Sequence, residues 1–190
     1  KAAIRAGVVK LMESVGAEQI VDEGLLEEVN SLVEAPTALL GKFDPAHLDL
    51  PAEVLISVMK KHQRYFPVKN TDGKLMPYFV AIRNGNDLGL DVVANGNEQV
   101  IKARFADAHF FINEDLKHKL SDMLDRLGTL TFQQKLGSML DKSRRVKALA
   151  ASLTDTINCS AAEKETTLRA AQLCKADLVT HMVVEMTSLQ

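Results

Sequence analysis

The tetrapeptide Asn70-Thr71-Asp72-Gly73 constrains this 190-residue chain more than any other feature. An Asp-Gly pair accepts the backbone angles of a tight turn, and here it separates two runs of strand-favouring residues. The first run, 63–69, carries Tyr65 and Phe66; the second, 75–82, carries Tyr78, Phe79 and Val80. The pattern predicts an antiparallel β-hairpin over 63–82. Pro67 and Pro77 lack a ladder donor, so each belongs at an edge or a bulge. Residues 37–41, just after Pro36, read as a further short strand.

Helical periodicity surrounds the hairpin. Ile4, Val8, Leu11 and Val15 share one face, with Gly16 as a stop. Asp22 is a candidate N-cap for a second helix carrying Leu25, Leu26, Val29 and Leu32. Both helices are acidic outside. Pro51 suits the first turn of a short helix with Val54, Leu55, Val58 and Met59. Beyond Asn95, helices are expected over 97–113, 115–127, 137–153 and 161–190, the last broken in two. Val146, Leu149, Ala150, Leu153 and Ile157 form one apolar stripe. The expected class is therefore α+β, a small antiparallel sheet with surrounding helices followed by a mainly helical segment. A boundary within 129–135 divides a mixed body, 1–130, from a helical segment, 131–190. The chain opens on Lys1, and a stripe of Leu178, Val179, Met182, Met186 and Leu189 still runs at Gln190. The expectation is an excised piece of a longer polypeptide.

Composition removes several function classes. Apolar residues make up 46% and charged residues 25%, ordinary for a globular chain. No apolar run approaches the ~20 residues that cross a bilayer. A net charge of -2 excludes a general polycation, so any nucleic-acid contact must come from a local patch. Cys159 and Cys174 read as reduced, intracellular, buried or half-buried thiols. Among His47, His62, His109, His118 and His181 there is no H-E-x-x-H, and G-x-S-x-G and phosphate-loop patterns are missing. No metal site and no self-contained active site is expected.

One such patch lies in 54–84. Lys60, Lys61, Arg64, Lys69, Lys74 and Arg83 face a single acid, Asp72, with His62, Tyr65, Phe66, Tyr78 and Phe79 interleaved. Cations for phosphates and flat rings for bases are what RNA contact requires. The competing reading is that the rings face a core and the lysines face water. In 97–113, Val100, Ile101, Phe105, Ala108, Phe111 and Ile112 define an apolar arc containing Arg104. Burial there would demand a partner, which Asp107 beside the arc or Asn97 could supply, and Arg104 with Asp107 is expected as a structural ion pair. Asn95-Gly96-Asn97-Glu98 reads as a turn leading into that helix.

Several blocks together carry a resemblance. His62-Gln63-Arg64-Tyr65-Phe66-Pro67-Val68 is followed by Asn95-Gly96-Asn97-Glu98 and Ala103-Arg104-Phe105-Ala106-Asp107-Ala108-His109-Phe110-Phe111. Lys175-Ala176-Asp177-Leu178-Val179-Thr180-His181-Met182-Val183 closes the series, and Leu32-Val33-Glu34-Ala35-Pro36, Leu50-Pro51-Ala52-Glu53-Val54-Leu55, Leu136-Gly137 and Asp141-Lys142 fit the same order. These blocks resemble the β subunit of bacterial glycyl-tRNA synthetase, of which the chain would be an internal piece. Ala35 departs from the family's usual aromatic, and Glu185-Met186-Thr187 from its usual Glu-Phe-Pro.

The resemblance implies a cytoplasmic tetramer of two α and two β chains that attaches glycine to its tRNA. It places the ATP- and Mg-dependent active site on the α subunit. The β subunit then supplies tRNA recognition, and this piece would be non-catalytic, binding tRNA or scaffolding. The helical end resembles the start of an HD-superfamily domain, although no His-Asp dipeptide occurs. The alternatives are an HD-type metal-dependent phosphohydrolase, or a purely structural module docking the α subunit.

Overall fold

The computed structural model describes residues 1–189 and has the expected α+β character, mostly helical with a small antiparallel sheet. It comprises two compact units, Lys1–His109 and a second beginning at Phe110.

In the first unit, β1 (Pro36–Lys42), β2 (Phe66–Lys69) and β3 (Leu75–Asn84) form an antiparallel sheet in the order β1-β3-β2. The predicted hairpin is β2–β3, with Phe66 opposite Val80 and Lys69 opposite Leu75. Pro67 sits on the edge strand, next to a register shift. Pro77 lies on the central strand, and its carbonyl accepts the N–H of Phe43 just beyond the end of β1. Neither proline therefore breaks a continuous ladder.

Strand alternation gives the sheet two faces, and both are covered. Helices α1 (Ala2–Ser14) and α2 (Glu23–Leu32) pack Ile4, Val8, Met12, Leu26 and Val29 against Phe66, Val68 and Val80. Asp22 caps α2 as expected, accepting the Leu25 N–H at 2.9 Å. On the opposite face, Leu39, Phe79 and Ala81 are buried. The Tyr65 ring stacks on Phe79 at 4.6 Å between centroids.

Between Pro51 and β2 the chain forms α3 (Ala52–Ser57), continues through a π-turn at Val58–His62, and then reverses. Arg64 takes the left-handed backbone at φ 56, while the Tyr65 N–H reaches back to the Met59 carbonyl. The strand thus starts at Phe66 rather than 63, because Arg64 serves to end a helix.

Helix α4 (Leu90–Leu116) starts seven residues before the expected 97 and absorbs Asn95-Gly96-Asn97-Glu98. Weak local propensity is overridden here by tertiary contacts. The Glu98 carboxylate accepts the Lys42 N–H at 3.0 Å, and Ile101, Phe105 and Ala108 are fully buried. Phe43 meets Phe105 edge-on.

The second unit has a small core of Met123, Leu127, Ala176 and Val179, joining 3₁₀ turns at Leu120–Thr129 and Ala176–Val179. Residues 129–135, read as a boundary, lie inside this unit and contribute β4 (Thr131–Gln133), paired with β5 (Gly137–Ser138). Helix α5 (Met139–Thr156) starts from a Ser138–Asp141 capping box and α6 (Ala161–Leu173) from a Ser160–Glu163 one. The end of the chain is more broken than expected, with α7 (His181–Glu185) as its last short α-helix among the described residues. The α5 stripe faces outward rather than into a core: Leu149, Leu153 and Ile157 are 66%, 62% and 69% exposed. Cys159 is half-buried but Cys174 is exposed.

Gly41 lies opposite Phe79, and a Cβ there would stand 2.2 Å from the ring's Cζ. Phe79 cannot retreat, being fully buried and stacked on Tyr65. Gly41→Ala is expected to cost about 1–3 kcal/mol, read as a lower urea midpoint with unchanged slope.

Candidate nucleic-acid interface

Two of the six cations proposed at the hairpin are paired with acids, and a third is held by a backbone carbonyl. The Lys60 ammonium donates to the Asp22 carboxylate, and Arg64 Nε lies 2.7 Å from Glu28 Oε1. Both acids belong to α2 or its cap, so the acidic helix neutralises the basic turn. Asp22 is correspondingly more acidic than usual, chiefly because of the Lys60 hydrogen bond and then the Leu25 N–H. Arg83 sits near the far end of β3 and donates to the Leu88 carbonyl at 2.6 Å. Lys69 and Lys74 flank the Asn70–Gly73 turn, and with Lys61 they are exposed. The interleaved rings are committed to packing: Tyr65, Phe66 and Phe79 are buried, and Tyr78 packs against the α1–α2 core.

The expected Arg104–Asp107 ion pair is not formed. Both residues are exposed, and no salt bridge joins them among the described residues. The buried line of α4 runs through Ile101, Phe105 and Ala108, narrower than the arc expected from the sequence. Arg104 therefore falls on its wet flank. His47 lies against Phe105 and His109, each at 5.3 Å between centroids. Burial first, and the neighbouring His109 second, lower its pKa, favouring the neutral imidazole.

A different cationic surface lies in the second unit. Between 134 and 154 the chain carries Lys135, Lys142, Arg144, Arg145 and Lys147 against one acid, Asp141. Lys142 Nζ stands 3.9 Å over the Phe132 ring, and Arg145 donates to the Leu136 carbonyl at 2.9 Å. Asp141 is occupied by its cap: the Ser138 N–H and then the Ser138 hydroxyl lower its pKa. Arg144 pairs loosely with Asp141 at 3.6 Å, while the contacts of Lys142 and Arg145 hold those cations at β4–β5 and the first turns of α5 without cancelling their charge.

Elsewhere in that unit, Asp115 binds the start of α7. Its carboxylate accepts the N–H groups of His181 and Met182 at 2.8 and 2.9 Å, and His181 Nδ1 lies 2.9 Å away. The carboxylate orients the imidazole and caps the helix. No group of three or more His, Cys, Asp or Glu side chains among the described residues could hold a metal. No helix among them is long and apolar enough to cross a membrane.

Comparison with known proteins places this geometry. The family described as glycyl-tRNA synthetase beta subunit matches residues 1–190. The chain belongs to the glycyl-tRNA synthetase β-subunit family. It is 48% identical over 190 residues to the glycine–tRNA ligase beta subunit of Halalkalibacterium halodurans, covering 100% of this chain and 27% of that protein. The Clostridioides difficile protein of the same name is 49% identical over 190 residues, with the same two coverages. The chain thus spans about a quarter of the length of these relatives.

The family's blocks can be located in the fold. His62–Val68 forms the reversal into β2, Ala103–Phe111 lies on α4, and Lys175–Val183 runs into the segment capped by Asp115. At the two departures, Ala35 is exposed, with its N–H on Asn84 Oδ1, whereas Met186 is buried. Met186 thus keeps a buried apolar side chain at its position, while Ala35 offers no ring to stack. The α5 cations went unnoticed in the sequence, although Lys142-Ser143-Arg144-Arg145-Val146-Lys147 beside a single acid was a legible signal. Asp115 gave none, because its partners lie 66 and 67 residues away.

Burial opposes ionisation of Asp115, but the Met182 and His181 hydrogen bonds outweigh it and lower its pKa below the ordinary 3.8. A depressed pKa contributes stability that is present above the unfolded value and lost as pH falls through the folded one. Asp115→Ala is expected to destabilise the protein by about 1–3 kcal/mol at pH 7. Urea midpoints should show the gap between the two proteins closing as pH drops below about 4.

Proposed function

We propose that this chain is a non-catalytic part of a glycine–tRNA ligase β subunit, presenting cations to the backbone of the tRNA for glycine. Membership of the family supports the ligase assignment, and the names of its relatives supply the subunit. On this reading, ATP and Mg serve an active site on the α subunit, within a cytoplasmic tetramer of two α and two β chains. The observation that carries the RNA contact is the α5 surface, where Lys142, Arg144, Arg145 and Lys147 share two turns with one capping acid. Phosphate contacts need charge and position rather than base-reading shape, and an exposed helix flank provides both. Lys61, Lys69, Lys74 and Arg83 remain as secondary candidates at the hairpin, with Lys60 and Arg64 discounted by their carboxylate partners.

A scaffolding role is the second reading. Leu149, Leu153 and Ile157 on α5 form an outward apolar stripe of the kind a partner helix covers. It supports docking of the α subunit beside RNA contact, not instead of it. The phosphohydrolase alternative is not favoured: His181 is engaged by Asp115, and the named relatives are ligase subunits.

The test is tRNA binding by the full-length β subunit assembled with its α partner, measured from low to high salt. Affinity should fall steeply and log-linearly with salt, and Lys135→Gln with Arg145→Gln should flatten the slope by about 0.9 per cation. Salt-insensitive binding, or none, overturns the reading.

A further inference from the structure

Beside α5 lies a cavity of about 290 Å³, between the 3₁₀ turn at Leu120–Thr129 and α6. Leu124 and Leu140 supply its apolar wall. Its polar lining is unusual because one member is stranded: Ser143 is only 4% exposed, and its Oγ has no hydrogen-bond partner. A serine inside a helix commonly turns its hydroxyl back to the carbonyl one turn earlier. Ser143 makes no such bond, so a buried hydroxyl is left unsatisfied in the cavity wall, a condition that native proteins rarely tolerate.

The remaining polar groups say what could satisfy it. Lys147 and Arg144 line the same cavity, as do Gln172 and Asp125. Lys147 Nζ donates to Gln172 Oε1 at 3.0 Å, which occupies one of three ammonium donors and neutralises no charge. Arg144 lies 3.6 Å from Asp141, too far for a well-formed hydrogen bond, so its guanidinium donors are largely available. Among the lining side chains two cations stand against the Asp125 carboxylate, and Arg144 also pairs loosely with Asp141, so there is little charge to spare and a polyphosphate is disfavoured against a singly charged anion. A neutral hydroxyl donor beside two cations is a set of groups that binds phosphate oxygens.

We propose that this cavity is a phosphate subsite, in which Ser143, Lys147 and Arg144 donate to the oxygens of a phosphodiester in bound RNA. The choice of RNA as the source rests on the tRNA reading above; inorganic phosphate would present the same chemistry.

The experiment uses the full-length β subunit with its α partner, in wild-type form and as Ser143→Ala, Lys147→Met and Arg144→Gln. If the subsite holds RNA, Lys147→Met and Arg144→Gln each lower the salt slope of tRNA binding by about 0.9. Ser143→Ala weakens binding roughly three- to tenfold with the slope unchanged, since a neutral donor releases no counterion. The serine variant is diagnostic because it removes an unsatisfied hydroxyl: its melting temperature should hold or rise even as affinity falls. The second arm titrates inorganic phosphate and follows melting temperature. Phosphate that stabilises the wild type but none of the variants, with tRNA affinity equal in all four, retains the subsite and assigns it to free phosphate. Unchanged affinity, slope and phosphate response in every variant overturns it, while steep salt dependence in the wild type leaves the broader tRNA reading standing. If the wild type binds no tRNA, that broader reading fails and the phosphate arm alone decides the subsite.

Discussion

Burial of β3 on both faces is the constraint on which the first unit depends. Phe79 and Val80 are adjacent in sequence, point to opposite sides and are both fully buried. One side needs α1 and α2, and the other needs the Tyr65 ring stacked on Phe79. Gly41 follows from this, since the Phe79 ring occupies the space a side chain would take. So does the fate of the aromatic residues in the hairpin: rings that complete a core cannot also stack on bases.

The same packing decides where positive charge is free. Covering one face of the sheet brings the acidic α2 to the turn before β2, so Lys60 meets Asp22 and Arg64 meets Glu28. These pairs are partly or largely exposed, and exposed pairs are worth little in stability. Their effect on surface potential is larger, because each removes a cation from the patch. On α5 the balance runs the other way. The single carboxylate there is engaged chiefly as an N-terminal cap and only loosely by Arg144, which favours the helix and leaves the neighbouring cations in excess.

Local chemistry made some of this fold readable and tertiary geometry hid the rest. The hairpin followed from Asp72-Gly73 and its flanks, and α2 from Asp22 with the period of Leu25, Leu26, Val29 and Leu32. Nothing local revealed that 95–98 would be helical; that depends on Glu98 reaching Lys42 and on the burial of Ile101 and Phe105. The periodicity of Val146, Leu149, Leu153 and Ile157 correctly indicated a helix, but periodicity does not tell a covered face from a bare one. The candidate site suffered most. Six cations within thirty residues looked like one patch, because a sequence does not show which acids fold against it. Arg104 was misplaced for a related reason, its arc having been drawn wider than the line of contact.

The Asp115 carboxylate joins residues separated by 66 positions, and this sets an order of events during synthesis. When α4 leaves the ribosome, both acceptor oxygens must stay hydrated until the chain has grown past Met182. At a typical bacterial elongation rate of about 5–20 residues per second, that interval lasts several seconds. Closing so long a loop adds only a modest entropic term, which grows with the logarithm of its length. The last turn of α4 is therefore completed by a part of the polypeptide that does not yet exist when the helix first forms.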